Sequence, residues 1–125
     1  MQGTIRQVLS GFTPPVLFAY LIGSYGSRDE GPLSDVDIAT YLDLDSSADG
    51  LNHKLSLYSE LSRALRRNDI DVVLLNICEN ALLLYSILTE STLIYDTDPE
   101  ARMLFEQRTL HAAIDFKQQR EAIFG

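Results

Sequence analysis

Asp35 and Asp37 flank Val36 at the start of an apolar run, and the chain must find a use for them. Successive residues of a strand point to opposite faces, so the two carboxylates share one face and Val36 takes the other. Like charges side by side repel unless a positive group sits between them, and a hard divalent cation is the usual solution. Mg²⁺ prefers one or two carboxylates together with substrate phosphates. Upstream, the apolar run Val16 to Ile22 ends in Gly23-Ser24. Gly23 lets a phosphate approach the backbone, Ser24 offers a hydroxyl, and a helix opened there would present N–H groups to an anion. One end of the stretch from Leu21 to Ala39 therefore suits a polyphosphate and the other its metal.

The flanking segments support an α/β reading. Residues 4 to 10 show a short helical pattern with Ile5, Val8 and Leu9 on one side, ended by Gly11. Pro14-Pro15 leads into the first strand, near 16–22, whose continuous apolar character fits cover on both faces. A second strand is expected near 35–42. Ser46, Ser47 or Asp49 then caps a helix reaching about Arg67, with Leu51, Leu55, Tyr58, Leu61 and Leu65 as its apolar stripe. Its basic end, Arg63, Arg66 and Arg67, complements the helix dipole, and His53 reads as a surface residue.

Asp69 to Asn76 is a further strand with a carboxylate at the start of an otherwise buried run. Asp69 and Asp71 share a face and compete for a site role. Helix over 79–89, strand over 92–95 and helix over 99–124 complete the chain, with Pro99 at a first helical position. The last helix is expected to bury Met103, Leu104, Leu110, Ala113, Ile114 and Phe116, with His111 packed near that stripe. Phe105, Phe116, Ile123 and Phe124 exceed what one small sheet needs, which leaves part of this helix for a partner.

Composition narrows the function classes. The 125 residues suffice for one domain, 1–125, with a real core. A net charge of −8 argues against direct nucleic-acid binding, which needs a basic footprint, and fits a basic protein partner. Cys78 is single, so it forms no internal disulfide and reads as a core-facing thiol. No signal peptide or membrane-length apolar run is visible, and cytoplasmic residence is expected.

Gly23-Ser24, ten residues from Tyr25 to Ser34, then Asp35-Val36-Asp37 resembles the signature of the DNA polymerase beta-type nucleotidyltransferases. More narrowly it resembles the minimal nucleotidyltransferase (MNT) antitoxins that pair with HEPN ribonuclease toxins. The resemblance implies a polymerase beta-like fold, a small mixed sheet with helices packed mainly on one face. It makes Asp71 the third carboxylate, sharing Mg²⁺ with Asp35 and Asp37, and gives Gly23 and Ser24 the phosphates of ATP. It also implies AMP transfer to a tyrosine of a HEPN toxin. The family often has Ala-Arg-Gly where this chain has Gly26-Ser27-Arg28, so a phosphate role for Arg28 does not carry over. Inhibition by binding alone and adenylylation of a small molecule are the alternatives.

Overall fold

A computed structural model describes residues 1–22 and 36–124. Gly23, Ser24, Arg28 and Asp35 lie outside the described residues, as do the side chains of Ile123 and Phe124. In chain order the elements are α1 (Gln2–Gly11), β1 (Val16–Ile22), β2 (Val36–Leu42), a 3-10 turn (Ser47–Asp49), α2 (Gly50–Leu65), β3 (Ile70–Leu74), α3 (Ala81–Glu90), β4 (Thr92–Asp96) and α4 (Pro99–Phe124). The order of types follows the sequence reading throughout.

The four strands form one mixed sheet in the order β3-β2-β1-β4. β1 pairs antiparallel with β2 and with β4, whereas β2 and β3 run parallel. A parallel pair needs a crossover connection, and α2 supplies it. At the far end of this pair the Asn76 side chain extends the ladder. Its Nδ2 donates to the Leu42 carbonyl and its Oδ1 accepts from the Leu42 N–H, both at 2.9 Å.

The helices divide two and two, which corrects the expectation of cover mainly on one face. Ile5 and Leu9 of α1 and Leu57 and Leu61 of α2 pack with Val36, Ile38, Leu42, Val72 and Leu74 on one side of the sheet. Ile87 of α3 and Ala101 and Phe105 of α4 pack with Phe18, Tyr20, Ala39, Tyr41 and Leu75 on the other. The physical reason is the near-continuous apolarity of β1 and β2, which leaves a greasy surface on both sides to be covered. The second face is an aromatic cluster. Phe18 stacks on Tyr41 with ring centroids 5.0 Å apart, and Phe105 lies 5.5 Å from each.

Polar contacts fix the helix ends and the docking of α4. The Ser46 side chain accepts from the Ala48 N–H, Asn80 from the Leu83 N–H and Asp98 from the Ala101 N–H, each a capping bond. Arg102 bridges Asp96 of β4 and Glu106, both at 2.7 Å. Tyr20 of β1 donates its hydroxyl to the same Glu106 at 3.0 Å. Burial, then the adjacent Glu106 charge, push the Tyr20 hydroxyl well above the usual tyrosine range.

Two apolar stripes sit differently from expectation. In α2 the buried positions are Gly50, Leu57 and Leu61, with Tyr58 and Leu65 partly covered; Leu51 and Leu55 are 62% and 57% exposed. A Cβ on Gly50 would meet the Ile77 side chain at 2.9 Å, so the start of α2 rests tightly on the turn after β3. The helix thus faces the sheet through the 50/57/61 line, one step round from the predicted stripe. In α4 the inward line is Ala101, Phe105, Thr109 and Ala113, and Met103, Leu104, Leu110, Ile114 and Phe116 are exposed. Four-residue spacing of mostly small side chains marks close approach, and it was masked by the larger residues beside it. Cys78 is half-buried rather than core-facing, His53 is half-buried and His111 exposed. α3 buries only Ile87, leaving Leu82 and Tyr85 exposed.

Leu57→Ala is expected to cost about 3 kcal/mol and Leu51→Ala less than about 0.5 kcal/mol, read by urea unfolding. The raised Tyr20 adds stability that is fully present below about pH 10, where tyrosines of the unfolded chain still hold their protons. That contribution is lost as pH rises toward the folded-state value. Tyr20→Phe should therefore shallow the fall in stability above about pH 10.

Candidate active site

β2 and β3 pair in parallel with Val36 opposite Ile70 and Asp37 opposite Asp71. The two aspartates belong to the second rung of the ladder, so their Cα atoms are about 4.8 Å apart and their side chains leave the same face. Alternation puts them on the side of Ala39, Tyr41, Val73 and Leu75, the face that carries α3 and α4. Those two helices pack mainly over β1. Among the described residues, Asp71 is exposed and Asp37 half-buried at the leading end of β2 and β3. Two neighbouring carboxylates on one face offer hard oxygen donors to a divalent cation. Asp71 is also reachable by a ligand in solvent.

The neighbouring rung distinguishes Asp69 from Asp71. Asp69 receives a two-pronged contact from the Arg67 guanidinium, Nε to Oδ1 and Nη2 to Oδ2. Those hydrogen bonds, foremost, hold the Asp69 carboxyl below the usual carboxylate range. The Asp69 carbonyl accepts the Val36 N–H at 2.9 Å, so this residue anchors the start of β2. Asp69 is thus committed to its arginine and to the backbone, and the acidic residue offered opposite Asp37 is Asp71. Sequence reasoning assigned Arg67 only to the helix end and missed its pairing across the turn. A basic residue two positions before an acidic one, on either side of a chain reversal, was the available signal.

Asp35, Gly23 and Ser24, the remaining expected site residues, fall outside the described residues. Among the described residues no group of three or more His, Cys, Asp or Glu side chains clusters as a metal site. The described part of the site is therefore the Asp37–Asp71 pair. Also among the described residues, no helix is long and apolar enough to cross a membrane.

A mixed four-stranded sheet with an acidic pair at the leading end of its parallel strands has the form of a nucleotidyltransferase domain. The family model for polymerase beta nucleotidyltransferases matches residues 4–100, and the chain belongs to that family. The match spans α1 through β4 and reaches only the first turn of α4.

Solved structures resemble it over nearly its whole length. A toxin–antitoxin complex with AMP-PNP aligns with a TM-score of 0.79 at 24% identity, covering 98% of this chain and 94% of that one. An MntA–HpeT toxin–antitoxin complex with two Asp-to-Glu substitutions gives 0.80 at 22%, covering 99% and 95%. A tri-AMPylated Shewanella oneidensis HEPN toxin in complex with MNT antitoxin gives 0.73 at 23%, covering 99% and 96%. At these identities the likeness is one of fold. No curated protein matches the chain.

Asp71→Asn is expected to weaken divalent-cation-dependent ATP binding tenfold or more, and Asp69→Asn to leave it unchanged. Calorimetric titration with ATP and Mg²⁺ reads both. The opposite ranking would transfer the site role to Asp69.

Proposed function

We propose that this protein is an antitoxin that transfers AMP from ATP to a tyrosine of a cognate HEPN ribonuclease toxin and thereby inactivates it in the cytoplasm. The observation that carries the reading is the pair Asp37 and Asp71 on neighbouring strands at the leading end of the parallel ladder, in a nucleotidyltransferase family member. The specific partner is supported by the fold's likeness to an antitoxin bound to a tri-AMPylated HEPN toxin, and ATP by the likeness to a complex with AMP-PNP. Another likeness carries paired Asp-to-Glu substitutions, in keeping with a role for paired aspartates.

The donor set fits Mg²⁺: Asp37 and Asp71 lie on neighbouring strands with their side chains on one face, and Asp35, two residues before Asp37 in the sequence, would add a third carboxylate. Held by these residues, Mg²⁺ would neutralise phosphate charge and make an incoming hydroxyl easier to deprotonate. Asp71, the more exposed carboxylate, takes the proton of the tyrosine hydroxyl. The tyrosine oxygen bonds to the α-phosphorus of ATP, the bond from that phosphorus to pyrophosphate breaks, and pyrophosphate leaves. Gly23 and Ser24 receive the outgoing phosphates. Position and charge supply most of the acceleration in such a transfer.

In a chain of 125 residues little remains for a dedicated acceptor pocket once the sheet and its four helices are built, which favours an acceptor presented by another protein. A partner can dock on the face that carries that pair. There α3 and α4 leave a groove of about 420 Å³ lined by Leu82, Tyr85, Ala113, Ile114, Phe116 and Lys117. We assign the partner contact to this C-terminal helix, within 99–124. A ribonuclease needs a basic surface for RNA, and a chain of net charge −8 is its electrostatic complement.

Intact-mass spectrometry of the HEPN partner after incubation with this protein, ATP and Mg²⁺ tests the reading. AMP-sized increments are expected with wild type and at least ~10²-fold more slowly with Asp37→Asn. A silenced partner in a stable complex without any increment would replace transfer by inhibition through binding.

A further inference from the structure

A second feature lies at the same end of the sheet, on the opposite face. The C-terminal end of α2 and the turn after it border a shallow pocket of about 630 Å³ lined by Tyr58, Ser59, Ser62, Arg63, Arg66 and Arg67. Three of the chain's ten lysines and arginines meet there, in a protein of net charge −8. Arg67 is paired with Asp69, so the positive charge offered comes from the exposed Arg63 and Arg66. The exposed Ser59 lies on the same wall. Charged guanidinium groups beside an accessible hydroxyl are the chemistry of phosphate recognition.

The backbone gives an independent sign. Arg66 closes α2 in the left-handed region, with φ 56° and ψ 41°, and is the one non-glycine residue with positive φ among the described residues. Helices commonly end this way on glycine, because a Cβ makes the conformation costly. An arginine retained at such a position sacrifices stability for the placement of its side chain, and that side chain lines the pocket. Complementing the helix dipole needs only a cation in the last turn, which Arg63 provides.

The pocket also lies close to the acidic pair. It reaches Asn68, three residues before Asp71, a span of at most about 11 Å of extended chain. We propose that the Arg63–Arg66 pocket is a second phosphate-binding site, independent of metal, whose ligand is a nucleotide phosphate. Two sources share this chemistry: the phosphates of a free nucleotide, and the phosphodiester of an AMP already joined to the acceptor. The nature of the ligand rests on the nucleotidyl-transfer reading; the existence of the site does not. A spot of two uncompensated charges is too small to track an RNA backbone.

The test is calorimetric titration of the full chain in EDTA with inorganic pyrophosphate, AMP and the dinucleotide ApA, which has a phosphodiester and no terminal phosphate. Metal-free binding of at least one probe is expected, weakening as salt rises. The Arg63→Gln, Arg66→Gln double variant should lose at least tenfold in affinity, and Asp37→Asn should retain it. Binding of pyrophosphate and AMP alone assigns the free nucleotide; binding of ApA with equal or greater affinity assigns the attached AMP. Arg66→Gly should raise Tm by about 3 °C while lowering affinity, since it relieves the backbone and removes the ligand contact. Absence of metal-free binding by all three probes, or equal affinity in the double variant, would overturn the proposal and leave the arginines as a helix terminus. Tighter binding of a longer oligoribonucleotide than of any of the three probes would overturn it in favour of an RNA site. Probe binding that persists when no HEPN partner is modified would keep this site and remove the transfer reading.

Discussion

The parallel ladder between β2 and β3 is the contact on which the rest depends. Its register places Asp37 beside Asp71, residues separated in the chain by a helix and two turns. A shift of one residue would send one carboxylate to the opposite face and bury it under α2. The register is held at both ends. At the start, the Val36 N–H binds the Asp69 carbonyl, with the Asp69 side chain clamped by Arg67. At the finish, Asn76 bonds both backbone groups of Leu42, and the Leu75 N–H binds the Thr40 carbonyl at 2.8 Å. Between them, Val36, Ile38, Ile70, Val72 and Leu74 are buried beneath Leu57 and Leu61. The apolar part of these strands holds the pairing and tolerates two acidic side chains on neighbouring strands at its leading end.

Cover on the two faces is unequal in kind. The α1/α2 side is an aliphatic core that closes the parallel crossover. The α3/α4 side is narrower, built on the aromatic group Phe18, Tyr41 and Phe105 and on the Tyr20–Glu106–Arg102–Asp96 chain of polar contacts. Those contacts hold the first turns of α4 against β1 and β4. Beyond Ala113 the exposed helix is not committed to the sheet, and its apolar residues join those of α3 in a groove. Among the described residues, this face is less fully covered than the other, and it carries the acidic pair.

Arginine and aspartate divide the labour around the strand ends. Arg67 pairs with Asp69. Arg102 does the same for Asp96 and Glu106, away from the site. Arg63 and Arg66 have no such ion pair among the described residues, and they stand together at the end of α2. An acidic protein thereby keeps one small positive surface close to the place where phosphates would be handled.

The element types, their order and the second strand from Val36 were legible in the amino-acid sequence because they rest on local rules: strand alternation, apolar runs and capping residues. Asp71 was singled out there as a carboxylate leading a buried run, and the Gly23-Ser24 to Asp35-Val36-Asp37 spacing pointed to the nucleotidyltransferases. Rotation of the helices was not. Leu51 and Leu55 fit the helical period as well as Leu57, and Ala101 and Thr109 carry too little apolar weight to compete with Leu104 or Ile114. Which line turns inward is decided by the surface it meets, through the close fit of Gly50 on Ile77 and the Tyr20 hydroxyl that fixes Glu106. The division of helices between two faces, the Arg67–Asp69 clamp and the left-handed turn at Arg66 likewise arise from contacts across the chain. Periodicity records how often apolar residues recur; only packing determines what they face.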